Sequence, residues 1–185
     1  KKLNAGVVCG GDYVELFQRQ TQVYLHRSSE GRPLCYNTSG EPVTDTADLP
    51  GTDLRADLLW QLNMPTMQWC GKATTHSTHH QTSFSLRDGI SGQYLCEESD
   101  GSLTFQDSDE NTRCHWKLIP FEDETVEYIT ETTQFYIQNV ASGNQLSQGP
   151  LMAGSDADDK YTGLKYHLVC DASTKVREDD LFIFR

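Results

Sequence analysis

The residues best suited to chemistry are three histidines in one short run, His76, His79 and His80 of "HSTHH". Imidazoles this close together could hold a transition metal, given a closed geometry and supporting hydrogen bonds. They lie in a polar stretch rich in Thr and Ser, so they read as a solvated loop and no metal site is expected. Acidic runs at Asp107 and Asp156 could offer oxygen ligands to calcium. A calcium loop numbered from Asp156 puts Tyr161 where glycine is needed and His167 where the bidentate glutamate belongs. Numbered from Asp107, the same places hold Thr112 and Leu118. Both registers fail, and the acidic runs read as solvated surface. Asp179 and Asp180 are adjacent, so on a strand they face opposite sides and cannot work as an acid–base pair. The chain contains no Gly-x-Ser-x-Gly, no His-Glu-x-x-His and no phosphate-binding P-loop. The expectation is a protein that is not an enzyme, with no catalytic residue and no cofactor. Asn37-Thr38-Ser39 is a glycosylation sequon, with meaning only in a secretory compartment.

Six cysteines are present: Cys9, Cys35, Cys70, Cys96, Cys114 and Cys170. No two form a Cys-x-x-Cys pair, which argues against a zinc ribbon. The even count permits disulfides, but a chain of 185 residues can bury a core without them. "GVVCGG", "YLCEE" and "YHLVCD" set cysteines inside apolar runs, where a free thiol behaves as a small hydrophobe. Free thiols, and hence a reducing compartment, are the expectation.

The elements that would position such residues are strands. "YVELF", "SFSLRD", "SLTFQD", "HWKLIP", "FYIQNV", "LKYHLV" and "LFIFR" alternate with period two, and Gly, Asp, Asn and Ser separate them. The best helical stretch, Asp53 to Leu62, is expected to turn into a strand at Trp60. Long loops are expected at residues 41–57, 64–82 and 149–163. One segment is written twice: "FSLRDGISGQYL" from Phe84 and "FYIQNVASGNQL" from Phe135. A fainter copy, "YVELFQRQTQVYL", begins at Tyr13. Each copy is followed by an apolar closing strand, with Trp60, Trp116 and Phe182 in corresponding places. A four-stranded unit has one apolar face and cannot hide it alone; three around an axis cover one another and remove exposed strand edges. The fold class is therefore all-β: a β-trefoil with three pseudo-repeats, roughly 8–63, 83–120 and 133–185, and long inserted loops. Trp60, Trp116, Phe135 and Phe182 read as core, while Trp69 is left open as a sugar platform, although Gln-x-Trp repeats are absent.

The formal net charge of −12 argues against nucleic acid and against an anionic membrane leaflet, and favours basic protein surfaces. No apolar run approaches the ~20 residues of a membrane helix, and no signal peptide is read at the start. Residues 1–185 are read as one domain, and the lack of an initial methionine suggests a piece of a larger chain.

The ordered set of segments resembles the second N-terminal β-trefoil, of MIR type, in the inositol trisphosphate and ryanodine receptor calcium-release channels. "CGGDYVELFQRQTQVYLH" resembles its opening, and "LLWQL" its Leu-Trp strand. "FSLRDGISGQYLCEESDGSLTFQD" resembles its Arg-His-x-x-(Thr/Ser)-Gly-x-Tyr-Leu segment, with Asp88 in place of histidine. "FYIQNVASGNQLS" resembles its Phe-Val-Gln-His-x-Ala-Ser-Gly segment, with Asn139 in place of histidine, and "REDDLFIFR" its closing strand. The resemblance implies a non-catalytic module on the cytosolic face of the endoplasmic or sarcoplasmic reticulum. Such a module contacts neighbouring trefoil and helical domains and couples them to gating, without touching the membrane. In that family the trefoil offers a phosphate-gripping Arg-Thr-Thr-Gly-Arg-like turn. Here the matching residues are Thr38, Ser39 and Gly40, with Asn37 and Glu41 at the arginine places. Without guanidinium groups, inositol phosphate is expected to bind only weakly. The second reading is a secretory-pathway MIR or lectin-like trefoil that binds glycans or accompanies a mannosyltransferase. It requires disulfides and a modified Asn37.

Overall fold

The structure, a computed structural model, describes residues 11–28, 30–37, 58–63, 83–121, 129–130, 132–152, 164–172 and 180–184. These form three sets of strands, five in the first, where β1 and β2 share the place of one, and four in each of the others. The first set is β1 (Tyr13–Val14) with β2 (Leu16–Gln18), then β3 (Val23–Arg27), β4 (Pro33–Asn37) and β5 (Trp60–Asn63). The second is β6 (Ser85–Asp88), β7 (Tyr94–Glu97), β8 (Leu103–Gln106) and β9 (Trp116–Pro120). The third is β10 (Phe135–Asn139), β11 (Gln145–Leu151), β12 (Lys165–Asp171) and β13 (Ile183–Phe184).

The outer strands of each set close a ring. β1 pairs with β5, β5 with β6, β9 with β10 and β13 with β2, all antiparallel. Bridges between Phe84 and Trp116 and between Phe135 and Phe182 complete the circuit. Closure leaves the barrel strands without a free edge. The inner strands of each set form the hairpins β3–β4, β7–β8 and β11–β12, and β12 also pairs with β4. The fold is a β-trefoil.

Period two has its expected consequence. Along β9 and β10, buried residues alternate with half-buried ones. The barrel interior is filled by three corresponding pairs: Val14 with Trp60, Phe84 with Trp116, and Phe135 with Phe182. Trp60, Trp116, Phe135 and Phe182 are fully buried, as expected of core. Each such side chain contributes about 1.5–3 kcal/mol by leaving water. Two indoles bond alike: Trp60 Nε1 donates to the Leu25 carbonyl (3.1 Å) and Trp116 Nε1 to the Leu95 carbonyl (2.9 Å).

The repeated Ser-Gly turn is one geometry. The N–H of Gly92 donates to the Asp88 carbonyl (3.0 Å) and that of Gly143 to the Asn139 carbonyl (2.9 Å), with φ of 72° and 77°. Gln22 occupies the same place in the faint copy, donates to the Gln18 carbonyl (2.8 Å), and also has positive φ, 58°. Asp88 and Asn139 serve as turn acceptors. Ser91 N–H donates to Asp88 Oδ2 (2.7 Å), and Ala141 N–H to Asn139 Oδ1 (3.0 Å). β5 begins at Trp60 as expected; residues 53–57 of the helical stretch lie outside the described residues. Among the described residues no helix is long and apolar enough to cross a membrane.

The expectation of free thiols is corrected at one pair. Cys96, in β7, and Cys114, two residues before β9, form a disulfide. The cause is the pseudo-repeat itself. Trp116 reaches back to the Leu95 carbonyl, so the neighbours of both residues are drawn together. Cys35 and Cys170 are buried thiols outside any disulfide, as expected, while Cys9 and Cys70 lie outside the described residues.

Candidate functional site: a cleft on the pseudo-threefold axis

The three hairpins cap one end of the barrel. Strand register shows which of their residues correspond. Arg27 faces Pro33, Glu97 faces Leu103, and Gln148 faces Leu168. Pro33, Leu103 and Leu168 are thus equivalent, and so are the residues just before them, Arg32, Ser102 and His167. All six line a cleft of about 590 Å³, which therefore lies where the three repeats meet.

The floor of this cleft is apolar. Leu34, Leu168 and Cys170 are buried, and Leu103 is half-buried beside Pro33. The rim is polar: Arg32, Asp100, Ser102, His167 and Asp171. The Asp100 carboxylate accepts from Ser102 Oγ–H (2.6 Å) and from Ser102 N–H (2.9 Å). These bonds favour the charged form and hold the carboxyl below the ordinary range. The turn is tight because Gly101 has φ +85° and its N–H donates to the Glu98 carbonyl (3.0 Å). Arg32 is turned to Glu30 at 3.2 Å, an exposed pair worth little in energy but sufficient to offset its charge.

Beneath the floor lies a buried carboxyl. Glu97 is 1% exposed. Its Oε1 accepts from Asn144 Nδ2 (2.6 Å) and its Oε2 from the Ser142 hydroxyl, both from the β10–β11 turn. The Cys170 thiol is pushed well above its ordinary range, first by burial and then by the charge of Glu97 and a hydrogen bond to it. Cys170 is therefore a neutral thiol and a poor nucleophile.

Of the residues singled out in the sequence, His167 and Cys170 line this cleft. Thr38, Ser39 and Gly40 lie outside the described residues, as do His76, His79, His80, Trp69 and Asp156. Asn37 ends β4, half-buried, and its N–H donates to the Leu164 carbonyl (2.8 Å). Asp107 accepts from Gln93 Nε2 (3.0 Å). Asp109 accepts from Ser85 Oγ (2.7 Å) and Asn63 Nδ2 (3.2 Å), so both carboxylates brace structure. Among the described residues no group of three His, Cys, Asp or Glu could hold a metal ion. The cleft was missed because its residues lie on three hairpins distant in sequence. Aligning the strands that follow the hairpin turns, as well as those that open each repeat, would have grouped them.

No protein-family model matches the chain, and no curated protein matches it. Solved structures do. The SDF2-like protein from Arabidopsis thaliana superposes with a TM-score of 0.63 at 15% identity, covering 97% of this chain and 94% of that one. The designed threefold-symmetric protein ThreeFoil gives 0.55 at 13% identity, covering 93% and 96%. The Saccharomyces cerevisiae protein O-mannosyltransferase Pmt1–Pmt2 complex, bound to the sugar donor, gives 0.62 at 14% identity. There the match takes in 100% of this chain and 26% of the other. At these identities the likeness establishes the β-trefoil fold.

Proposed function

We propose that this chain is a non-catalytic, MIR-type β-trefoil recognition module of the secretory pathway, with glycans as its ligands. The observation that carries this reading is the Cys96–Cys114 disulfide, since disulfides persist in oxidising compartments. The likeness to an SDF2-like protein and to a mannosyltransferase complex bound to a sugar donor supports it. A non-catalytic role is supported by how the buried and half-buried polar groups are used. Glu97 and Asp109 are engaged in bracing hydrogen bonds, and Cys170 is a neutral thiol.

A second reading, the cytosolic module of a calcium-release channel, is favoured by the ordered set of segments from Cys9 to Arg185. The disulfide opposes it, because the cytosol keeps thiols reduced. The deciding measurement is thiol alkylation of the chain isolated from its native source, unfolded with and without reductant, followed by peptide mapping. In the secretory reading Cys96 and Cys114 label only after reduction, and Asn37 carries an endoglycosidase-sensitive glycan. Labelling of both cysteines without reductant, with Asn37 bare, would refute this reading and leave the channel module.

A further inference from the structure

One wall of the axial cleft is the edge of a strand. Five consecutive residues of β12, from His167 to Asp171, line it. β12 pairs with β11 from Tyr166 to Asp171. Its other edge is used only in part: Lys165, Tyr166 and His167 pair with Tyr36, Cys35 and Leu34 of β4, and the ladder stops there. The next place on β4 is Pro33, which has no N–H to give. From Leu168 onward that edge of β12 has no partner strand among the described residues.

Register shows which groups the open edge presents. The Asn37 N–H donates to the Leu164 carbonyl at 2.8 Å, so the even-numbered residues of this stretch turn their main-chain groups towards the β4 side. At period two, the N–H and C=O of Leu168 and Cys170 point the same way, away from β11. The second repeat agrees. The Glu98 N–H donates to the Ser102 carbonyl at 2.7 Å, so Leu103, the counterpart of Leu168, turns its main-chain groups away from β7. Leu168 is 6% exposed and Cys170 8%. Buried main-chain groups without a hydrogen bond are costly, so this edge gains from a partner that supplies both donors and acceptors. The Leu168 and Cys170 side chains belong to the core, and a residue paired with either points its own side chain to the same face. That face is the apolar floor with Leu34 and Leu103.

An extended polypeptide matches such an edge, because it repeats paired N–H and C=O groups at every second residue. The molecule displays the fit at an equivalent place. Cys35 is the counterpart of Cys170, and there Tyr166 and Leu164 cover the edge of β4 in antiparallel pairing. The cleft volume of about 590 Å³ falls within the range of roughly 300–1,000 Å³ usual for ligand sites. We propose that the axial cleft takes an extended peptide segment as an added antiparallel strand on the open edge of β12. The segment carries apolar residues opposite Leu168 and Cys170 and any residue between them. This site is separate from the glycan reading and stands or falls without it.

NMR titration of the intact chain with the capped pentapeptide Thr-Val-Thr-Val-Thr tests it, read at the amides of Leu168 and Cys170. Both amides should shift saturably, and their hydrogen exchange should slow by roughly tenfold or more at saturation. Methylating both valine nitrogens removes the two donors that face β12 and should weaken binding by more than about tenfold. Methylating the central threonine nitrogen, which faces away from β12, should change it by less than about threefold. Leu168→Pro gives β12 the residue that the first repeat holds at the corresponding place, Pro33, and should lose binding while still folded, as checked by thermal melting. The methylated peptides decide the matter on the unaltered protein if that variant does not fold. No saturable shift at either amide, equal effects of the two methylation patterns, or full binding by a folded Leu168→Pro protein overturns the proposal.

Discussion

The pseudo-threefold core can be tested at Trp116. Its indole is fully buried, and its N–H donates to the Leu95 carbonyl at 2.9 Å. The third repeat places Phe182, also fully buried, at the corresponding position, so a phenyl ring can occupy this place in the fold. Trp116→Phe removes two things. The Leu95 carbonyl loses a buried donor, which costs about 1–3 kcal/mol when nothing replaces it. The smaller ring leaves roughly 40 Å³ unfilled, or about 1 kcal/mol at ~24 cal/mol per Å³. The sum is about 2–4 kcal/mol. Trp60→Phe should cost the same within ~1 kcal/mol, since its N–H donates to the Leu25 carbonyl at 3.1 Å. A small difference is expected because Trp60 also stacks on Phe105, with ring centroids 5.9 Å apart. The assay is urea unfolding. With a slope of about 2 kcal/mol per M, each midpoint should fall by about 1–2 M at unchanged slope. If one substitution is silent while the other is severe, the two tryptophans do not hold equivalent places and the threefold argument fails.

Other substitutions probe the turns, the disulfide and the seams. Gly143→Ala meets open space, its nearest neighbour being Gln138 Nε2 at 4.0 Å, so its expected cost of about 1 kcal/mol is purely that of positive φ. Gln22→Gly at the equivalent turn should gain about 0.5–1 kcal/mol by relieving φ of 58° in a residue with a side chain; both are read from urea midpoints. Replacing Cys96 and Cys114 together by Ala opens a cross-link of sequence separation 18 and should cost about 2–4 kcal/mol in thermal or urea unfolding. Glu97→Ala strips the acceptor from Ser142, Asn144 and Cys170 and should cost roughly 2–3 kcal/mol in urea unfolding. Gln148→Leu should be neutral or stabilising in the same assay, because the Gln148 Oε1 is buried without a hydrogen-bond partner.

The barrel was legible in the sequence because its signals are local. Alternation in "HWKLIP" and "FYIQNV" marks the inward faces, and Ser-Gly marks the turn. Even the faint first copy was recognisable from its strand, turn and second strand over Tyr13 to Leu25, and the structure gives Gln22 the positive φ that Gly92 and Gly143 have. The disulfide was not legible. Cys96 and Cys114 meet only because an indole 20 residues downstream of Cys96 bonds to its preceding carbonyl. Taken as a small hydrophobe, Cys96 gives no hint of a partner. The cleft was illegible for a related reason. Arg32, Ser102 and His167 share no residue type, and the third hairpin's connection is longer than the other two. Only strand register reveals that they share a position.

That same register shows how the repeats are joined. Arg27, Glu97 and Gln148 are equivalent, and so are the residues just after the matching turns, Val23, Gln93 and Asn144. Between the first and second repeats, Arg27 Nη2 donates to Gln93 Oε1 at 2.9 Å. Between the second and third, Glu97 accepts from Asn144 at 2.6 Å. Between the third and first, Gln148 corresponds to the reaching residue and Val23 to the receiving one, and valine has no polar side-chain atom. That seam is closed instead by main chain: Lys165 pairs with Tyr36, Tyr166 with Cys35 and His167 with Leu34. All three seams thus carry backbone pairing, through β5–β6, β9–β10 and β4–β12, but only the first two add a side-chain bond between hairpins. Substitution at Glu97 must then cost stability while substitution at Gln148 need not, although the fold places them alike. The axial cleft shares this asymmetry, because His167 is fixed by the β4–β12 ladder while Ser102 is fixed by its own carboxylate neighbour, Asp100.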